Sequence, residues 1–228
     1  MIYLIFGDNQ KDSRNYLKSL TENKETVSFT AENLDLTTLA QAVSGNSFFA
    51  TDQIIVLESF FTQIKKGKGK DAVLEYLVQH ENEHEIILWE GKTLEKSSYK
   101  AFKKPSIHEF KLPQHLFAFL ETLSPGNANA SIRMHHEVQR SLETEIIFFM
   151  LVRQFRLLLD GFSKGEKTSE YKRLAPWQRS KLDKQAEKFG YEKLVLNYRS
   201  LFYIDKAQKT GKLPSTLPDT IDFFLNAI

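Results

Sequence analysis

Several short stretches carry residue types whose spacing could do chemistry. The first is Gly7-Asp8-Asn9-Gln10-Lys11-Asp12-Ser13, which follows the apolar run Ile2 to Phe6 and leads into a helical pattern. A nucleotide-binding protein places its phosphate loop, G-x-x-x-x-G-K-[ST], at this point. Its glycines let backbone amides surround the phosphates, its lysine reaches the terminal ones and its hydroxyl holds magnesium. Here Asp12 stands where the second glycine should be, and Asp8 puts negative charge where an anion would sit. The spacing therefore argues against ATP, and no cofactor is expected. A second stretch, His80-Glu81-Asn82-Glu83-His84, matches H-E-x-x-H literally and raises a zinc hydrolase. That chemistry needs both histidines on one face of a continuing helix, with the glutamate activating a zinc-bound water. The apolar run Ile86 to Trp89 begins almost at once after His84 and reads as a strand, so the histidines straddle a helix end and a turn. No metal is expected there.

Three other features are weaker as chemistry. Lys65-Lys66-Gly67-Lys68-Gly69-Lys70 lacks phosphate-loop spacing and reads as a solvated, mobile loop. Met134-His135-His136 falls on a helix, where adjacent residues do not share a face, and reads as half-exposed surface. Phe48 and Phe49 follow a helix that Gly45 ends and precede a strand starting near Gln53. Two consecutive large aromatics in a short connection cannot both enter one core layer. The residues alone leave two readings open: one ring buried and one covering the helix end, or a protruding apolar wedge for a partner's pocket.

The elements that must position these residues change character partway along. Strand patterns fall at Ile2 to Phe6, Val27 to Phe29, Gln53 to Leu57, Glu85 to Trp89 and Ile107 to Phe110. Helices alternate with them, near 12–21, 36–44 behind an Asp35 cap, and 71–80. Alternating strands and helices imply a parallel sheet covered on its faces. From Leu112 onward only helical periodicity remains, with helices near 112–123, 129–140, 143–160, 177–189, 191–208 and 216–227, and a loop from Gly161 to Lys172. The expected architecture is α/β plus all-α, with the boundary near 111.

Composition excludes several classes. At 228 residues, 41% hydrophobic and 26% charged, the chain can bury one large core or two small ones. The net charge of +2 does not itself demand a polyanionic partner, although residues 112–228 are the basic half. The absence of cysteine removes disulfide frameworks and thiolate metal sites and fits a reducing compartment. Met1 to Phe6 is too short, and lacks the basic flank, for a signal peptide. The run from Ile146 to Val152 is far short of a membrane span. The expectation is a cytoplasmic protein with no membrane partner.

Taken together, "IYLIFGDN", "LAQAVSGNSFFATDQIIVLE" and "HEIILWEGKTLEKSSYKAF" resemble the AAA+ module of the delta subunit family of the bacterial DNA polymerase III clamp loader. "FAFLETLSPGNANA", "LVRQFRLLL", "LAPWQRSKLDKQAEKF" and "YRSLFYIDKAQKTG" resemble that family's helical collar domain. The more specific pieces are Gln154-Phe155-Arg156 and Asp205 followed by Lys209-Thr210-Gly211. The resemblance implies a degenerate AAA+-like α/β module without a functional phosphate loop over residues 1–111. It implies a collar-like oligomerisation domain over 112–228. In the family a hydrophobic pair at the end of the corresponding helix inserts into the sliding clamp and springs its interface, and Phe48 and Phe49 fall on those positions. The implied role is non-catalytic, within the DNA polymerase holoenzyme assembly that serves DNA replication. The implied partners are the sliding clamp, other clamp-loader AAA+ subunits, and DNA through the assembled complex. The sequence departs from the family in one respect: Phe110-Lys111-Leu112 runs almost directly into the collar-like helices, so the chain resembles a shortened form lacking the middle helical domain. An alternative of another class is a nucleic-acid-binding adaptor that uses the basic second half, with Lys172, Arg173, Arg179 and Lys181 as its DNA contacts. The opposing view of those residues is a solvated face, because Glu166, Glu170, Asp183 and Glu187 are interleaved with them.

Overall fold

The computed structural model describes residues 1–45, 53–65, 67–163 and 165–228. Phe48 and Phe49 lie outside the described residues, as do Lys66 and Lys164. The described chain divides into two compact units, Met1–Leu112 and Pro113–Ile228.

The first unit is a five-stranded parallel sheet with helices on it. Strands β1 (Ile2–Phe6), β2 (Thr26–Phe29), β3 (Ile54–Glu58), β4 (Glu85–Glu90) and β5 (Ser106–Glu109) lie in the order β2-β3-β4-β1-β5. Every pairing is parallel, with Leu4 opposite Leu88 on one side and Ile107 on the other. Period-two alternation sorts the side chains between two cores. On one face Ile2, Leu4, Ile55, Leu57, Ile86 and Leu88 pack with Leu39 of α2 (Leu36–Gly45) and with Val73 and Leu77 of α4 (Lys68–Gln79). On the other face Ile5, Ile54, Val56, Ile87 and Trp89 pack with Leu17 of α1 (Gln10–Thr21). Burial on both faces explains why β3 and β4 read as continuous apolar runs rather than alternating ones.

Local signals fix the helix starts. The Asn9 side chain accepts the Asp12 amide at 3.3 Å, which sets the start of α1 two residues before the periodicity suggested. Asp35 accepts the Thr38 amide at 2.8 Å and caps α2 as expected. A short helix, α3 (Phe60–Gln63), follows β3 and has no period of its own in the sequence. The lysine-rich stretch departs from its reading as a loop, since Lys68, Gly69 and Lys70 form the first turn of α4. Lys70 reaches back to donate to the carbonyls of Phe61 (2.9 Å) and Ile64 (3.1 Å), so its charge serves the C-terminal end of α3.

The second unit contains helices and, among its described residues, no strand: α5 (Gln114–Thr122), α6 (Ala128–Gln139), α7 (Thr144–Phe162), α8 (Ser169–Arg173), α9 (Pro176–Phe189), α10 (Tyr191–Lys209) and α11 (Leu217–Ala227). Helix α7 runs through its centre, burying Ile147, Phe148, Leu151, Phe155 and Leu158 along one side. Phe155 meets Phe189 and Phe224 edge-on, with ring centroids 5.5 Å away in each case. The expected loop from Gly161 to Lys172 is more ordered than its sequence indicated. Asp160 accepts the Thr168 amide and hydroxyl, and the Lys167 ammonium donates to the carbonyls of Asp160, Gly161 and Ser163. The Asp160 carbonyl also accepts the Ser163 amide at 3.2 Å, and the lysine adds a charged donor to this cluster of carbonyls at the end of α7, closing the helix before α8 begins. No helix among the described residues is long and apolar enough to cross a membrane.

Candidate functional site

In an open parallel sheet, ligands bind outside the carboxyl ends of the strands, where neighbouring strands send their connections in opposite directions. Here that point lies between β1, whose chain leaves towards β2, and β4, whose chain leaves towards β5. The residues there are Gly7 to Gln10, Glu58, Glu90 and Gly91, so the topology brings the phosphate-loop stretch to the place a nucleotide would occupy.

Part of that space and one of the loop's backbone donors are taken up by the chain itself. The Asn9 amide donates to the Phe110 carbonyl at 3.0 Å, and the Phe110 amide donates to the Phe6 carbonyl at 2.7 Å. Gly7 has φ +136°, and a Cβ built on it would come within 2.0 Å of the Phe110 oxygen. The chain after β5 therefore lies against the bend where a phosphate cradle would curve. Gln10 donates to the Gly91 carbonyl at 3.1 Å and ties the start of α1 to the end of β4. Arg14 lies 3.5 Å over the Trp89 ring and holds Glu58 through two bonds of 2.6 and 2.7 Å, which lower the Glu58 pKa below the usual carboxylate range. The Arg14 guanidinium, one turn into α1, is thus neutralised by its own chain.

Glu90 is fully buried at the end of β4. Its carboxylate accepts the Phe61 amide at 2.6 Å and the Thr62 hydroxyl at 2.7 Å. Burial pushes its pKa up, and those hydrogen bonds oppose the rise. A carboxyl group whose folded pKa is raised binds more protons folded than unfolded. Its contribution is therefore most favourable at low pH and is lost as pH rises from the unfolded value through the folded one. In Glu90→Gln the amide oxygen can still accept the Phe61 amide, and Thr62 can turn to accept from the new NH2. Melting temperatures recorded from pH 4 to pH 8 are expected to show the variant gaining on the wild type as pH rises. Parallel curves would contradict the buried-charge assignment.

The other expected sites are placed as follows. His80 closes α4, with its ring stacked on Tyr76 at 4.1 Å, and His84 lies in the turn before β4, so a helix end separates the two. Gln154 and Phe155 are buried within the second unit. The Gln154 amide donates to Gln185 at 2.7 Å, and Gln185 donates to the carbonyls of Leu120 and Leu123 at 2.8 Å each, linking α7, α9 and the end of α5. Arg156 joins Arg153 on Glu170 of α8, at 2.5 and 2.6 Å. Asp205 and Lys209 pair at 2.8 Å, four residues apart on α10. Of the proposed DNA contacts, Lys172 pairs with Glu166 at 2.9 Å and Lys181 with Glu121 at 2.8 Å. Arg173 is exposed and Arg179 half-buried.

Three groupings had no sequence signal: Arg14 with Glu58 and Trp89, Glu90 with α3, and Gln185 with Gln154. Their members are far apart in the chain, and only the sheet or the helix packing brings them together. One expectation is corrected outright. His135 is not half-exposed but fully buried, and adjacent His135 and His136 both reach Asp222 of α11, at 2.7 Å each.

No family model matches the sequence, and no curated protein matches it. Among solved structures, the chain is similar to the Bacillus subtilis DNA clamp loader delta protein over 99% of its own length and 94% of that chain, at 15% identity and a TM-score of 0.46. It is similar to Drosophila ORC bound to DNA over 99% of its length and 66% of that chain, at 11% identity and a TM-score of 0.31.

Proposed function

We propose that the chain is a non-catalytic clamp-loader subunit, similar in role to the DNA polymerase III delta subunit, that binds and opens a sliding clamp during DNA replication. The observation that carries this reading is the first β-to-α connection. It stands where a phosphate loop belongs, but its Asn9 amide and Gly7 bend are occupied by Phe110. The architecture of a nucleotide-binding sheet without the means to grip phosphate fits a subunit that is positioned by ATPase neighbours and is not itself an ATPase. The sequence resemblance supplies the rest of the reading. Phe48 and Phe49 are its clamp-binding wedge, and residues 112–228 its collar-like oligomerisation domain.

Helix α10 supports an assembly role for the second unit. It buries Leu194 and Leu201, seven residues apart, and leaves Leu196, Phe202 and Tyr203 exposed. Apolar exposure of this kind on a 19-residue helix suits contact with other loader subunits. Clamp opening then needs no bond made or broken. A wedge that fits only the open-competent geometry shifts the ring's equilibrium by its differential affinity for that state.

Titrating the chain with the sliding clamp of its host tests the reading: saturable binding without nucleotide is expected, and its absence would overturn the proposal. ATP with magnesium is expected to leave the melting temperature of the isolated chain unchanged, whereas a saturable rise would contradict the closed loop. DNA is engaged through the assembled complex in this reading, which the resemblance implies; Lys172 and Lys181 hold exposed ion pairs within the chain. The affinity of the isolated chain for duplex DNA is accordingly expected to be weak, with a shallow salt dependence. A steep slope, marking several phosphate contacts, would favour the adaptor alternative instead.

A further inference from the structure

We infer that His135, His136 and Asp222 form a binding site for a divalent transition-metal ion of the zinc type. Among the described residues they are the one group of three histidine or carboxylate side chains whose ligand atoms lie close enough to share a cation, all within 4.8 Å of one another. Two imidazole nitrogens and one carboxylate are the donor set that zinc and its neighbours prefer over calcium or magnesium. Three protein ligands leave a fourth position for water.

The site draws on two helices of one unit. His135 and His136 are on α6, and Asp222 is on α11. Neighbouring side chains on a helix diverge, yet these two converge because they use different nitrogens. His135 points inward and offers the near Nδ1 to Oδ1, while His136 wraps round from the surface and offers the far Nε2 to Oδ2. Ser131 and Val138 on α6 are buried, as are Ile221, Phe224 and Leu225 on α11, so the backbones that hold the ligands are fixed. The His136 side chain is 54% exposed and that of Asp222 28%, which leaves an ion a path from solvent. Tetrahedral zinc holds its ligand atoms about 3.3 Å apart and takes one carboxylate oxygen, so Asp222 must turn from its two separate 2.7 Å contacts to present a single oxygen to the ion when the metal replaces the bridging protons. The half-exposed His136 and the carboxylate can supply that movement.

The buried Nε2 of His135 has no hydrogen-bond partner. Without metal, Nδ1 carries the proton that bonds Asp222, and Nε2 presents a desolvated lone pair. With metal on Nδ1, the proton moves to Nε2. One unpartnered buried atom remains in either case, so metal binding leaves no additional atom unpartnered.

The test is zinc titration of the full chain after chelator treatment, read by competition with a chromophoric chelator and by thermal melting. One saturable site per chain is expected, with a zinc-dependent rise in melting temperature. His136→Ala and Asp222→Asn should each weaken binding by about tenfold or more and abolish the melting shift, whereas His80→Ala should change neither. His136 is on the surface, so its variant decides the matter even if Asp222→Asn proves too unstable to measure. Absence of saturable zinc uptake, or uptake that survives His136→Ala, would overturn the site.

Discussion

Replacing Phe48 and Phe49 together with alanine is expected to reduce affinity for the sliding clamp by about a hundredfold or more, with the fold of both units unchanged. Burying two phenylalanine side chains gives about 3–6 kcal/mol gross, and ordering the segment that carries them takes back part of it. A net loss of about 3 kcal/mol corresponds to that hundredfold change and is typical of paired aromatic anchors at the centre of an interface. Each single variant should show an intermediate loss, because one ring still occupies the partner's pocket. Surface-plasmon or anisotropy titrations with the host's clamp give the numbers, and circular dichroism checks the fold. Clamp affinity that is unchanged in the double variant would remove the wedge from the proposal, wherever else the clamp is contacted.

Gly7→Ala is expected to destabilise the first unit by about 3 kcal/mol or more. Two causes act together. At φ +136° an L side chain is strained, and its Cβ would come within 2.0 Å of the Phe110 oxygen and 2.6 Å of the carbonyl carbon. Backbone cannot swing aside as a flexible side chain can, so relief requires breaking the bond from the Asn9 amide to the Phe110 carbonyl. The chain contains two tryptophans. Trp89 is buried in the first unit and Trp177 exposed in the second, so urea unfolding of a Trp177→Phe background reports the first unit alone. Gly69→Ala is the comparison, since a Cβ there meets nothing within 4 Å and the residue lies in α4; it should be neutral or slightly stabilising. A Gly7→Ala variant within about 1 kcal/mol of the parent would mean that Phe110 is not held against the loop.

Much of the fold was legible because both periodicities are strong. The run Ile2 to Phe6 is a strand to the residue, and Glu85 to Trp89 needed only Glu90 added. The period-3.6 patterns placed α7, α9, α10 and α11 to within a residue or two. Short elements were not legible. Four residues of α3 and five of α8 cannot show a period, and what holds them are side chains of other elements, Glu90 of β4 in one case and Asp160, Arg153 and Arg156 of α7 in the other. Lys68 to Lys70 read as a loop from its charges and glycine, but tertiary contacts override composition at a helix start.

The candidate sites divide in the same way. The missing second glycine and the added aspartates of the first connection could be read from seven residues. That Phe110 fills the bend could not, because the residues that meet there are a hundred positions apart. His135 was misread because adjacency on one helix says nothing about a carboxylate on another, 87 residues later. Phe48 and Phe49 acquired a role only through the resemblance, since physics left their two readings even.

Reconstitution tests the central claim most directly. The chain is mixed with the host's sliding clamp and its ATPase loader subunits, with a non-hydrolysable ATP analogue present, and the mixture is examined by size-exclusion chromatography with light scattering. The account predicts one complex that contains the chain, the ATPase subunits and the clamp. Elution of the chain by itself, while the ATPase subunits and clamp assemble without it, would contradict the account.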